Sequence, residues 1–246
     1  MRLNGKTAIV TGGASGFGAG IARKFIAEGA RVMIADIDGD AAARVAAELG
    51  GIGHRVDVAD NASVEAMAAA AKKAFGALDI LVNNAGITHL PAPMEEISEV
   101  DFDRVLAVNA KSVFLTARHF VADMKANRRG AILNVASTAG LSPRPKLSWY
   151  NASKGWMITA TKAMAVELAP SGVRVNAICP VAGETPLLKS FLGEDTPEMR
   201  AKFLATIPMG RFSTPEDMAN AACYLCSDEA SMVTGVAMEV DGGRCI

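Results

Sequence analysis

From the amino terminus the chain alternates short runs rich in β-branched and aliphatic residues with longer Ala-rich stretches whose apolar positions recur at helical spacing. The runs predict strands over Thr7 to Thr11, Arg31 to Asp36, Gly53 to Val58, Leu78 to Asn83, Ala131 to Ala136, Arg174 to Ile178 and Val236 to Val240. The stretches predict helices over Gly18 to Glu28, Asp40 to Leu49, Ser63 to Phe75, Val100 to Ala126, Trp149 to Ala169 and Pro215 to Cys226. Strand and helix in steady alternation make repeated β-α units, so the expected class is α/β, with a doubly wound, seven-stranded parallel sheet flanked by helices. Gly29-Ala30 and Gly172-Val173 read as ordinary helix-to-strand turns, and no linker, composition shift or internal repeat divides residues 1–246, which predicts a single domain. The rhythm breaks from Val181 to Phe212, where Pro and Gly punctuate short apolar pieces over a span too long for an ordinary connection. Such excursions often cover binding sites, so residues 181–212 are a candidate substrate lid.

Composition adds mainly exclusions. With half of its 246 residues hydrophobic and 25 Lys+Arg against 26 Asp+Glu, the chain is an ordinary globular sequence without a basic block for nucleic acid or an anionic membrane. No run approaches the roughly 18 apolar residues that span a bilayer, and the start lacks a secretory pattern, so a cytoplasmic protein is expected. Cys179, Cys223, Cys226 and Cys245 are expected as reduced thiols. Cys223 and Cys226 form a C-x-x-C, but the Thr214-Pro215-Glu216-Asp217 helix start places both inside a helix, where packing is the expected role.

The first strand runs into Thr11-Gly12-Gly13-Ala14-Ser15-Gly16-Phe17-Gly18 and then a helix. Glycines permit close backbone approach and free N–H groups at a helix start attract phosphate, so this turn suits a pyrophosphate. It is neither a Walker loop nor the general G-x-G-x-x-G, because Ile21 holds the last glycine position; alone, it also fits a tight β-to-α connection. Asp36 at the end of the second strand, about 20 residues on, adds the carboxylate that accepts hydrogen bonds from an adenosine ribose. That carboxylate repels a 2′-phosphate, and neither Ser15 nor Ile37 is a compensating cation, so NAD is favoured over NADP in a Rossmann-type domain.

Tyr150-Asn151-Ala152-Ser153-Lys154 opens a helix and puts the tyrosine and lysine, four apart, on one face. A phenol that acts as a base near neutrality needs positive charge beside it, which Lys154 can supply. Alone, Y-x-x-x-K is also a common surface pairing.

Taken together these marks resemble the short-chain dehydrogenase/reductase family over essentially the whole chain. Its other signatures follow in order: Asp57-Val58, Asn83-Asn84-Ala85-Gly86, Asn109, Ser137, and Arg174-Val175-Asn176 leading into Pro180. The resemblance implies that Ser137 hydrogen-bonds the substrate oxygen, Tyr150 exchanges its proton, Lys154 holds the nicotinamide ribose and Asn109 anchors a relay water. It implies that Gly12, Ser15, Gly16, Phe17 and Gly18 receive the cofactor, with Asp57 and Val58 flanking adenine. Asn84, Ala85 and Gly86 line the cleft. In Pro180-Val181-Ala182-Gly183-Glu184-Thr185 the family's glycine has moved two residues along. Its Pro-to-Thr spacing survives, leaving the Gly183 backbone and Thr185 for the cofactor.

The implied reaction is hydride transfer between nicotinamide and a secondary alcohol or ketone such as a sugar, polyol or hydroxy acid, with no metal required. Alternatives are reduction of a 3-oxoacyl thioester, or NAD binding without catalysis, against which intact Ser137, Tyr150 and Lys154 argue. His89, Arg144, Lys146, Trp149 and Lys189 are candidate substrate contacts, a basic set that suits an anionic or polyhydroxylated substrate. The resemblance also implies a homotetramer packed through the two long helices.

Overall fold

The computed structural model describes residues 1–193 and 195–246, so of the candidate lid Glu194 lies outside the described residues. Seven strands, β1 (Thr7–Thr11), β2 (Arg31–Asp36), β3 (Ile52–Arg55), β4 (Ile80–Asn83), β5 (Gly130–Val135), β6 (Val173–Pro180) and β7 (Ala237–Val240), form one sheet in the order β3-β2-β1-β4-β5-β6-β7. Every neighbouring pair is parallel. Side chains alternate faces along a strand, and in the central strands both faces are buried. Ala8, Val10, Val32 and Ile34 pack with Ile21 and Phe25 of α1 (Gly16–Ala27) and Met218 and Ala222 of α9 (Pro215–Cys226). Their neighbours Ile9, Met33 and Ala35 face Val64 and Met67 of α3 (Asn61–Phe75), Leu115 and Phe120 of α5 (Ser112–Ala126) and Leu168 of α6 (Ser148–Leu168). This is the doubly wound arrangement expected from the alternation of strand and helix.

The strand order reverses between β1 and β4, and crevices at such reversals open beyond the carboxyl ends of the strands. Thr11, Asp36, Asn83, Val135 and Pro180 all end their strands there. Beneath that edge a buried polar relay joins four elements: Thr116 of α5 donates to Asn83 (2.9 Å), Asn83 to Asn134 of β5 (2.8 Å), and Asn134 to Thr161 of α6 (2.8 Å).

Several boundaries differ from expectation. The third strand spans Ile52–Arg55 rather than Gly53 to Val58, because the Asp57 N–H turns to the Ser63 hydroxyl (2.9 Å) and leaves the ladder. The helix expected over 100–126 is broken into α4 (Glu99–Leu106) and α5 by a π-helical turn at Ala107–Lys111, which holds Asn109. Within the candidate lid lie two short helices, α7 (Leu188–Leu192) and α8 (Pro197–Leu204). α2 spans Gly39–Leu49. Cys223 and Cys226 are buried inside α9, whose start is fixed by a reciprocal Thr214–Asp217 capping box. Among the described residues no helix is long and apolar enough to cross a membrane.

Candidate active site

A cavity of about 490 Å³ opens along the carboxyl ends of the central strands. Its floor at one end is the β1–α1 turn. Gly12 has φ +61°, and a Cβ there would stand 2.9 Å from the Ala85 Cα, while a Cβ on Gly18 would come within 2.1 Å of the Gly12 carbonyl. The turn therefore packs closer than any side chain permits. Asn84 locks it to β4, its amide donating to the carbonyls of Thr11 (2.8 Å) and Gly12 (3.0 Å), and the Thr11 hydroxyl accepts from the N–H groups of Asn84 and Ala85. Ser15 sits at the N-cap of α1 without capping it through its side chain, so the N–H groups of the first turn are free for an anion.

Gly12, Ser15, Gly16, Phe17, Asp36, Asp57, Val58, Asn84, Ala85, Gly86, Pro180, Gly183 and Thr185 all line this one cavity; Gly18 lies just beneath it. Asp36 is held at the rim by the N–H groups of Ala14 (3.0 Å) and Asp38 (3.2 Å). Arg55, its register partner on β3, is outside the lining. The displaced glycine also has a physical reason: a Cβ on Gly183 would stand 2.4 Å from the Phe17 ring, so a side chain there would push Phe17 away. These features fit a dinucleotide: a cradle a Cβ would fill, a helix start lacking its cap, and a carboxylate at the far rim.

At the other end Ser137, Tyr150 and Lys154 meet. Ser137 follows β5 directly, and Tyr150 and Lys154 project from the first turns of α6. Burial pushes the Tyr150 phenol up to about 12, against the opposing effects of the Ser137 hydroxyl and the Arg144 charge. Lys154 Nζ donates to the Val135 carbonyl (2.9 Å), and burial pulls its pKa down to about 8. The Lys154 ammonium is 6.0 Å from the Tyr150 ring centre, and Arg144 is a second cation that favours the phenolate.

Asn109 is fully buried and does not line the cavity. Its amide oxygen accepts from the Ile87 N–H (2.9 Å), and its nitrogen donates to the Ile87 carbonyl (2.9 Å) and to Ser153 (3.0 Å). The side chain ties the π turn to the segment after Gly86, and its oxygen, with one hydrogen bond accepted, keeps a second lone pair. Of the candidate substrate contacts, only Ser137 and Arg144 reach the cavity. His89 turns Nδ1 to the Leu90 carbonyl (2.8 Å) and Trp149 donates to the Met94 carbonyl (3.2 Å), while Lys146 and Lys189 point to solvent. Sequence reasoning missed Phe191, Phe203 and Arg244, which come to the wall from the two lid helices and the carboxyl-terminal turn.

Comparison with known proteins agrees with this geometry. A family model described as enoyl-(acyl carrier protein) reductase matches residues 12–244. The 4-formylbenzenesulfonate dehydrogenase TsaC1/TsaC2 of Comamonas testosteroni is 48% identical over 100% of both chains. The 2-(S)-hydroxypropyl-CoM dehydrogenase 3 of Xanthobacter autotrophicus is 41% identical over 98% of this chain and 97% of its own. Among solved structures, a 3-ketoacyl-(acyl-carrier-protein) reductase from Brucella melitensis complexed with NADH superimposes with a TM-score of 0.93 at 49% identity, covering 99% of this chain and 100% of that one. Whole-length identity at this level, with the serine, tyrosine, lysine and glycine turn around one cavity, makes the chain an oxidoreductase of the short-chain dehydrogenase/reductase family.

Proposed function

We propose that this enzyme is an NAD(H)-dependent oxidoreductase of a small alcohol and its carbonyl partner, with Tyr150 moving the proton. The observation that carries the reading is the placement of Tyr150, Ser137 and Lys154 at one end of the cavity that holds the glycine turn and Asp36 at the other. Bound nicotinamide supplies the chemistry of accepting or giving a hydride. In reduction the Tyr150 hydroxyl gives its proton to the carbonyl oxygen, and in oxidation Tyr150 takes that proton back. Ser137 holds the same oxygen by a hydrogen bond, and the Lys154 ammonium binds the nicotinamide ribose. At the far end Asp36 accepts from the adenosine ribose, and its charge disfavours a 2′-phosphate; the NADH bound to the Brucella relative supports the same preference. The segment 181–212 closes over the substrate, and residues 1–246 act as one domain.

Exposed apolar residues on the long helices, Phe114 on α5 with Trp156 and Val166 on α6, support assembly as a homotetramer. Four free cysteines, three of them buried, suit a cytoplasmic protein. The test is reduction of NAD or NADP by the purified enzyme over a panel of sugars, polyols, hydroxy acids, hydroxyacyl thioesters and hydroxymethyl or formyl arenesulfonates. Tyr150→Phe should lose roughly 10²- to 10⁴-fold in turnover while retaining NAD binding; turnover at the native rate would remove Tyr150 from the mechanism. A 3-oxoacyl thioester reductase is the second reading, favoured by the name of the solved relative, and the thioester arm of the panel decides it.

A further inference from the structure

We propose that Arg144 and Arg244 form an anion-binding subsite beside Tyr150, and that the substrate is an alcohol or carbonyl compound bearing a carboxylate or sulfonate. The inference rests on the oxidoreductase reading above and names its substrate class.

Both arginines line the cavity at its catalytic end. The Arg144 guanidinium lies 4.7 Å from the ring centre of Phe203 and 5.6 Å from that of Phe191, and Phe191 in turn meets Tyr150 edge-on at 5.1 Å. The segment carrying Arg144 is pinned to the catalytic helix, because Asn151, the residue after Tyr150, donates to the Arg144 carbonyl at 2.7 Å. Arg244 arrives from the carboxyl-terminal turn, which Asp241 braces by accepting from the N–H groups of Gly243 (2.9 Å) and Cys245 (2.8 Å). Among the described residues neither guanidinium donates a side-chain hydrogen bond or meets a carboxylate, whereas Arg2, Arg23, Arg129, Arg200 and Arg211 each do.

Two cations facing one aromatic-walled cavity repel each other, and aromatic rings strip water from Arg144 without giving its N–H groups an acceptor. Such an arrangement is costly unless an anion completes it. A planar guanidinium matches a carboxylate or sulfonate through two parallel hydrogen bonds. An anion bound there sets the rest of the substrate towards Tyr150 and Ser137, which makes the subsite a device for placing the reacting carbon.

The test uses the full-length enzyme with benzoate and benzenesulfonate as probes, against the neutral isosteres benzamide and benzenesulfonamide. Binding is read by calorimetry in the presence of NAD, so no turnover is needed. The anions should bind at least ~10-fold tighter than their isosteres, the size of one charge-assisted hydrogen bond. Arg144→Gln and Arg244→Gln should each erase most of that preference, and Arg144→Lys should keep part of it, which reports an intact fold. In turnover, 4-(hydroxymethyl)benzoate should exceed benzyl alcohol in kcat/KM by a similar factor. Equal binding of anions and isosteres overturns the subsite. So does a rise confined to the cofactor KM in the glutamine variants, with the preference for anions unchanged. Anion preference without turnover of any alcohol counts instead against the oxidoreductase reading and leaves the subsite standing.

Discussion

Replacing Asn134 by leucine tests whether the buried relay beneath the site holds the catalytic edge together. Asn134 is fully buried, and its side chain is the middle link between Asn83 and Thr161. Leucine of similar size leaves the Asn83 amide without its acceptor in a place water does not reach, a cost of about 1–3 kcal/mol. Thr161 loses a donor but still gives its own proton to the Met157 carbonyl (2.8 Å), so its share is about 1 kcal/mol. The expected loss is therefore about 2–4 kcal/mol, read by urea denaturation at one fixed protein concentration. Asn83→Leu makes a useful partner, because Thr116 then has the Val113 carbonyl at 3.1 Å as a second acceptor and is not orphaned. With both asparagines gone no stranded amide remains, so the double variant should be more stable than the two single losses summed, by about 1 kcal/mol or more. A single-variant cost below about 1 kcal/mol, or strict additivity in the cycle, would refute the claim that the relay is a coupled unit.

Two further expectations concern the rim of the cavity and the fold. Asp36→Asn removes the charge that repels a 2′-phosphate, so the ratio of kcat/KM for NAD over that for NADP should fall; an unchanged ratio would mean that Asp36 does not set cofactor choice. Asp217→Ala removes the capping partner of Thr214 and the bidentate partner of Arg211 (2.8 Å for one contact), at about 1 kcal/mol of stability. Because Arg211 holds this carboxyl well below its usual value of 3.8, the contribution is full above that pH and is lost as the pH falls through the lower folded value, so the gap between variant and native protein should close in acid.

Much of the fold was legible because its signal is local. Apolar runs at strand length and Ala-rich helical spacing located β1, β2 and α9 residue for residue, and the capping residues before α9 marked its start. The break between α4 and α5 left no mark, since the apolar period carries on through the π turn and only the backbone changes its hydrogen bonding at Asn109. The cofactor side of the cavity was legible for a similar reason: its residues sit at strand ends, where position along the chain translates directly into position on the sheet edge. The substrate wall was not. Phe191, Phe203 and Arg244 are brought beside Tyr150 by tertiary packing of three separate segments, and nothing near each in sequence signals that meeting. His89 and Trp149 were plausible by residue type, yet each turns a ring nitrogen to a backbone carbonyl and stays outside the cavity lining.

The electrostatics of Tyr150 give the two directions of the reaction opposite demands. With its phenol pushed up to about 12, Tyr150 is protonated throughout the neutral range and ready to act as the acid in carbonyl reduction. Oxidation needs the phenolate, so its rate should climb with pH while the reduction rate stays flat until the pH nears the phenol's own value. Arg144 is one of the two groups that hold the phenol lower than burial alone would set it. Removing its charge, or neutralising it with a bound carboxylate or sulfonate, must therefore raise the phenol further. The rise of the oxidation rate should then lie at higher pH for 4-(hydroxymethyl)benzoate than for benzyl alcohol in the native enzyme. In Arg144→Gln the rise for benzyl alcohol should itself move to higher pH, because the charge that held the phenol down is gone. Coincident profiles in the native enzyme would show that the charge on Arg144 does not reach the proton on Tyr150.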